Sequence, residues 1–222
     1  MNIVVSKQDL EKALQVCSNT VGSGNVDIST HFVFRYKDSK LEVLSYSSRL
    51  FSSAIVNAAK VTNTEEHTSF TIEAKRLKMW LSAVSASALE FSFNGSTTKA
   101  KSNMGSQTFR SLDPSTFPYW DDVAGEATET SKISADALKD AFSHVRRFIS
   151  TEDTQRPAFC VTEARDGVLL AASTGLFSAV QVSDLKEDNK MRVNGKNVNS
   201  LVSFLSLFDD NDISICEHKN FI

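Results

Sequence analysis

Apolar residues recur along this chain in two rhythms, one of period two and one of about 3.6 residues. Ile3-Val4-Val5 reads as a short strand over 3–5 that runs into a helix over 6–17. Leu10, Ala13, Leu14 and Cys17 form a single buried stripe on that helix, and Ser6 is placed to cap its first turn. Alternating stretches at 32–36, 41–46 and 50–57 read as strands, the first two joined by a turn at 37–40. A strand at 69–73 feeds a second helix over 74–84, striped at Leu77, Trp80, Leu81 and Val84. Strands follow at 89–93, 99–101 and 107–111. Leu112-Asp113-Pro114 and Phe117-Pro118-Tyr119-Trp120 close the series, and a polar stretch covers 121–131.

The pattern then starts again. Val5-Ser6, Leu10, Ala13-Leu14 and Cys17 match Ile133-Ser134, Leu138, Ala141-Phe142 and Val145 at an offset of 128. Leu50-Phe51-Ser52, Ala54 and Val56 match Leu176-Phe177-Ser178, Val180 and Val182 at an offset of 126. Ile72, Ala74-Lys75, Leu77 and Leu81 match Val193, Gly195-Lys196, Val198 and Val202 at an offset of 121. Phe91-Ser92-Phe93 matches Ile213-Ser214-Ile215 at an offset of 122. Four blocks in one order predict a duplicated α+β fold, each copy packing two helices on antiparallel sheets. The second copy is expected to have a strand at 132–134, a helix over 134–147 and strands at 158–163, 168–173 and 176–183. Asp166-Gly167 supplies the tight turn between the first two of those strands. A strand at 191–194, a helix over 195–205 and a strand at 212–217 complete it. The expected domains are 1–122 and 132–222, with 123–131 as linker. Residues 101–122 have no partner in the second copy, so the second domain is expected to lack its last strands: either it is naturally shorter or, the favoured expectation, the chain is a fragment.

Composition confirms a chain able to build a core: 41% of residues are hydrophobic and 15 are Phe, which excludes intrinsic disorder. No apolar run approaches about 20 residues, so no membrane helix is expected. The N-terminus has no basic region followed by an apolar stretch. The cysteines at 17, 160 and 216 are odd in number and far apart, which favours reduced thiols in a cytoplasmic setting over a disulfide framework.

Net charge is −3, yet its distribution is uneven. The four predicted helices carry 0, +3, +1 and +1 in chain order, leaving −8 for the rest. Lys12, Lys75, Lys78 and Lys196 lie opposite the apolar stripes, and Lys139, Ser143 and Arg146 fall on one exposed helical face. Such a face tracks a phosphate backbone without reading sequence. A plain solvated helix face is the alternative for any one of these lysines.

Catalytic patterns are lacking. The histidines at 31, 67, 144 and 218 are scattered, and neither H-x-x-x-H nor C-x-x-C occurs. Cys216 and His218 share a strand face without further ligands. Gly22-Ser23-Gly24-Asn25 follows a helix rather than a strand and lacks the lysine of a phosphate-binding loop. Asp121-Asp122 and Asp209-Asp210 sit beside turns and read as solvated loop charges.

The element order, with its basic helices, resembles the DNA sliding clamps, and in detail the bacterial type, the beta subunit of the replicative polymerase. The resemblance rests on the strand and helix at 1–15 and on Phe70-Thr71-Ile72 with Ala74-Lys75 and Leu77. It also rests on Ser106-Gln107 with Phe109 and Leu112, followed by Phe117-Pro118, and on the stretch from Leu170 through Gly175 to Val180. It covers nearly the whole chain, and order and spacing carry it more than any single motif. A divergent clamp, from a virus of bacteria for instance, fits this pattern.

The resemblance implies a non-catalytic DNA polymerase processivity factor without a cofactor, acting in the cytoplasmic replisome. Its partners would be double-stranded DNA held without sequence preference, the replicative polymerase, the clamp loader and further copies of itself. Six such domains close a ring around duplex DNA, with the helices lining the hole. Two copies make a ring from three-domain chains, and three copies from two-domain chains. The implied DNA-facing residues are Lys12, Lys75, Lys78, Lys139, Arg146 and Lys196, flanked by Arg76 and Arg147. A partner-peptide pocket is implied at Arg156, Phe159, Ser173, Gly175, Leu176, Phe177 and Ser178. The chain departs from the family at Gly24, where a basic residue is usual nearby. It departs again at Leu176 and Phe177, where a more polar pair is usual, and at Ser178, where Leu is usual. Because Leu176 and Phe177 repeat Leu50 and Phe51, ordinary strand residues are the other reading there. The competing function is a protein-interaction scaffold of the same duplicated fold that encircles no DNA.

Overall fold

A computed structural model describes the chain apart from residues 23–26, 48–49, 58, 65–67, 120–126, 151–158, 174, 187–190, 209–210 and 219–222, and apart from the side chains of 127–130 and 215–218. The chain divides into two units, Met1–Tyr119 and Trp120–Ile222.

The first unit opens with β1 (Asn2–Ser6) and α1 (Lys7–Ser18). Ser6 accepts a hydrogen bond from the Asp9 amide and caps the helix, while Leu10, Ala13, Leu14 and Cys17 are buried. Then come β2 (His31–Lys37), β3 (Lys40–Ser47), β4 (Leu50–Val56), β5 (Lys60–Thr62) and β6 (Ser69–Glu73). Helix α2 (Ala74–Ala83) precedes β7 (Ala88–Phe93), β8 (Thr97–Ser102) and β9 (Gly105–Arg110). One sheet has the order β5-β1-β7-β8-β9 and the other β4-β3-β2-β6, every pairing antiparallel. Strand β5 is absent from the sequence reading; its three residues are too few to set a period, and pairing with β1 creates it.

Both helices bury their stripes in one core with the inner sheet faces. Stacked rings form its centre: Phe34 lies 4.8 Å from Phe70 and 6.0 Å from Phe91, centroid to centroid. Trp80 meets Phe91 and Phe109 edge-on. The Cys17 thiol donates to the Val43 carbonyl at 3.2 Å, and burial pushes its pKa up to about 12, the behaviour of an inert core thiol.

The second unit repeats the plan. Strand β10 (Ala127–Ser134) leads into α3 (Ala135–Val145), capped by Ser134. It starts five residues before the strand expected at 132, so it occupies part of the stretch read as linker; pairing with β15 (Asp212–His218) extends it. Strands β11 (Val161–Arg165), β12 (Val168–Ser173), β13 (Leu176–Gln181) and β14 (Arg192–Asn194) form a sheet of order β13-β12-β11-β14, the same arrangement as β4-β3-β2-β6. Helix α4 (Gly195–Leu205) packs against α3. The β11–β12 turn places Asp166 at φ 53° and Gly167 at φ 75°. In the first unit Asp38 and Ser39 do the same at 50° and 61°, the signature of a two-residue hairpin turn. The core holds Ile133, Leu138, Phe142, Val145, Leu169, Val198 and Leu205; among the described residues of this unit Phe142 is the one fully buried aromatic ring. This is the α+β architecture of duplicated helix pairs on antiparallel sheets that the repeat predicts.

Candidate functional site

The two units differ in charge. Residues 1–119 contain 13 Lys or Arg and 10 Asp or Glu, whereas residues 120–222 contain 11 and 17. The basic excess therefore sits in the first unit, where α2, with Lys75, Arg76 and Lys78 and no acid, presents it.

Lys12 on α1 and Lys75, Arg76 and Lys78 on α2 are exposed, because Leu10, Ala13 and Leu14 and then Ala74, Leu77 and Leu81 turn the other faces inward. The four cations are not equivalent. Arg76 reaches back 2.9 Å to the Glu73 carboxylate. Glu73 stands at the N-cap position but makes no side-chain cap, so its charge is available to Arg76. The Lys78 ammonium lies 5.7 Å from the centroid of the buried Phe32 ring, and partial burial lowers its pKa from the ordinary lysine value. Lys12 and Lys75 form no ion pair among the described residues. Lys7 ties the two helices together, donating from its ammonium to the Val84 carbonyl at 2.6 Å.

In the second unit the predicted basic face is interrupted. Lys139 is half-buried and ion-paired with Asp136, one helical turn earlier on the same face. Ser143 is half-buried as well. Helix α3 ends at Val145, so Arg146 and Arg147, both exposed, fall in a 3-10 turn at Arg146–Phe148 rather than on the helical row. The expected spacing of Lys139, Ser143 and Arg146 on one exposed helical face is therefore corrected: Lys139 and Ser143 are half-buried, and the exposed Arg146 lies beyond the helix. Lys196 is exposed in the first turn of α4, its amide donating to the Asn194 side chain at 3.0 Å.

A cavity of about 360 Å³ lies beside Arg76, lined by His31, Glu73, Phe109, Arg110 and Leu112. His31 is buried there, which lowers its pKa, and its Nδ1 lies 2.9 Å from the Asp27 carbonyl.

The implied peptide-pocket residues do not share one face. Arg156 lies outside the described residues. Phe159 is half-buried and its carbonyl accepts from the Ser150 amide at 2.8 Å. Ser173 and Leu176 face each other across the β12–β13 corner, where Gly175 takes φ 79°, a left-handed conformation suited to glycine. Leu176 and Phe177 are 57% and 66% exposed, whereas Ser178 is buried on the core side, opposite Phe177. What the fold builds beside Phe177 is a cavity of about 400 Å³ on the outer sheet face, lined also by Val161, Glu163, Leu170, Ala172 and Arg192. Arg192 and Glu163 are cross-strand neighbours joined at 3.1 Å. These residues are absent from the sequence-based set. Their alternation with core residues was readable, but the juxtaposition of β12, β11 and β14 was not.

No protein-family model and no curated protein matches this chain. Solved structures do. A putative DNA polymerase III beta subunit from Eubacterium rectale aligns with a TM-score of 0.80 and 15% identity, over 99% of this chain and 63% of its own. The beta subunit from Thermotoga maritima aligns at 0.79 and 16%, over 98% and 59%. The DNA polymerase sliding clamp from Bacillus subtilis aligns at 0.75 and 19%, over 99% and 62%. The chain thus spans about three fifths of the length of these proteins. At such identities the likeness is one of architecture, and on that ground the two units of this chain have the sliding-clamp fold.

Proposed function

We propose that this chain works as a sliding clamp: a non-catalytic processivity factor that encircles duplex DNA and tethers the replicative polymerase to it. The observation that carries this reading is the exposed basic face of α1 and α2, Lys12, Lys75, Arg76 and Lys78, on helices that bury their other face in a sliding-clamp fold. Lys196, Arg146 and Arg147 extend the set in the second unit, and Lys139 joins it once phosphate competes with Asp136. Long cationic side chains meeting phosphates hold DNA by counterion release, which is independent of base sequence. Contacts of that kind are individually weak and exchange rapidly, as sliding requires. Affinity for the polymerase and the loader would reside elsewhere, at the β12–β13 corner around Ser173, Gly175, Leu176 and Phe177.

Ring closure makes the function topological. Six domains of this size close a ring; three copies suffice if each contributes two, and two copies if each contributes three. The mass of the native assembly separates these cases. The decisive test is retention after loading on DNA. The protein is expected to stay on a closed circular plasmid and to run off the same plasmid once it is linearised. Equal loss from both forms overturns the encircling ring and favours the scaffold reading. Lys75→Glu combined with Lys78→Glu is expected to weaken DNA association and to flatten its dependence on salt, with folding kept.

A further inference from the structure

The cavity beside Arg76 is assembled from four segments of the first unit. His31 opens β2 and Glu73 ends β6, and the two are cross-strand partners. Arg76 stands in the first turn of α2. Arg110 ends β9, and the chain after it returns to β6. There the Ser111 hydroxyl donates to the Thr71 carbonyl at 2.8 Å, and the Leu112 amide donates to the Thr71 hydroxyl at 2.7 Å. These bonds keep Arg110 and Leu112 beside His31 and Glu73, around a volume of about 360 Å³. That volume lies within the range of small-molecule sites.

Its polar groups form a definite pattern of donors and acceptors. His31 is 3% exposed, and its Nδ1 lies 2.9 Å from the Asp27 carbonyl. A carbonyl only accepts, so the proton of the neutral ring sits on Nδ1 and Nε2 keeps a lone pair. Nε2 has no partner among the described residues. No side-chain nitrogen or oxygen of those residues is both sealed and unpaired, so Nε2 opens onto the cavity and takes its hydrogen bond from whatever occupies it. Donors surround it. The Arg76 Nε pairs with Glu73 at 2.9 Å, which leaves both terminal amino groups of Arg76 without a partner among the described residues. The Arg110 guanidinium is exposed and forms no ion pair among them. The lining thus carries two guanidinium charges against one carboxylate. The nearby Asp27 carboxylate is engaged by the amide and hydroxyl of Ser29, at 2.8 and 2.6 Å.

We infer that this cavity binds a phosphate group that carries an ionisable proton, inorganic phosphate or a terminal phosphate monoester. Arg76 and Arg110 meet its charged oxygens, and its O–H donates to Nε2 of His31. Guanidinium groups suit such oxygens because their planar N–H forks match the anion's geometry. A phosphate monoester gives up its second proton at about pH 6, so near neutrality it can still bring the proton that Nε2 lacks. Sulfate brings none, and neither does an internal phosphodiester of a nucleic acid. The cavity is therefore distinct in chemistry from the exposed lysines of α1 and α2, whose contacts ask only for negative charge. The inference stands on the first unit alone and holds whether or not the chain encircles DNA.

The test titrates the whole chain with inorganic phosphate at neutral pH, followed by calorimetry and by the side-chain nitrogen resonances of His31. Saturable one-to-one binding is expected, at least about tenfold tighter than sulfate, the worth of one hydrogen bond to a charged group. The Nε2 resonance is expected to move with phosphate and to stay with sulfate. Arg110→Gln, at an exposed site that leaves folding intact, is expected to weaken phosphate about tenfold. His31→Phe removes the acceptor and is expected to bring phosphate down to the level of sulfate, with folding checked by the urea midpoint; if that variant does not fold, Arg110→Gln decides. An oligonucleotide with and without a 5′-phosphate separates the two sources. A gain of about tenfold from the 5′-phosphate assigns a strand end, and its absence while inorganic phosphate binds assigns a free small molecule. No saturable binding up to about 10 mM phosphate overturns the inference, as does equal binding of sulfate or full affinity of Arg110→Gln.

Discussion

Two sheets of identical strand order meet solvent differently. Over β4-β3-β2-β6 the outer apolar positions are sealed, with Val33 and Leu44 at 0% and 4% exposure. Over β13-β12-β11-β14, Leu170 is half-exposed and Phe177 stands 66% in solvent. The difference teaches that the helices satisfy only one face of this sheet. In the first unit the second face is covered by an aromatic-bearing segment, the nine residues Ser111–Tyr119 after β9.

The largest effect should come from removing that cover. Phe117→Ala is expected to destabilise the first unit by about 3–5 kcal/mol, the usual range for emptying a buried phenylalanine site. Phe177→Ala is expected to change the second unit by no more than about 0.5 kcal/mol, as at an exposed position. Urea unfolding of both variants measures the contrast, and equal costs would break the comparison. The next effect sharpens it at the helix starts, where Ala74 and Gly195 correspond. A Cβ on Gly195 would lie 2.4 Å from the Ile149 side chain and 2.8 Å from the Ser150 carbonyl. Gly195→Ala is therefore expected to cost about 1–3 kcal/mol through overpacking. Ala74→Gly should cost about 1 kcal/mol for the opposite reason, lost helix propensity.

A smaller effect is one of pH. Burial holds the His31 pKa below its ordinary value of about 6.5, so on acidification the unfolded chain takes up the proton first. The stability contributed by neutral His31 is complete above about pH 6.5 and is lost as pH falls through the folded value. His31→Gln is expected to flatten the decline of the first unit's urea midpoint between about pH 7 and pH 5. The smallest effect compares single lysines. Lys75→Gln should reduce the salt slope of DNA binding by about 0.9, the share of one phosphate contact. Lys139→Gln should reduce it by less, because Asp136 already neutralises that ammonium. Equal changes would show that the ion pair opens freely on DNA.

Much of the fold is legible in the residues themselves. The strand at 69–73 and the helix over 195–205 match the structure residue for residue, because both are bounded by sharp changes of hydrophobic period. The 134–147 helix stops short at Val145, and its last turn tightens into a 3-10 geometry. The candidate basic residues were legible as positions opposite a stripe. Their partners were not: Asp136 beside Lys139 and Glu73 beside Arg76 depend on rotamers, and the Lys78 ammonium over Phe32 depends on a strand more than 40 residues away.

By itself, then, the order of amino acids determined the duplication, the element types and the side of each helix that meets water, since periodicity and capping are local properties. Tertiary structure alone decided which cations stand clear of acids, and that residues 111–119 fold back over the outer face of the first unit's sheet. Those outcomes hinge on contacts between segments distant in the chain, where Tyr46 can lean on Phe51 and Phe117 while Ala172 leaves Phe177 beside an open cavity.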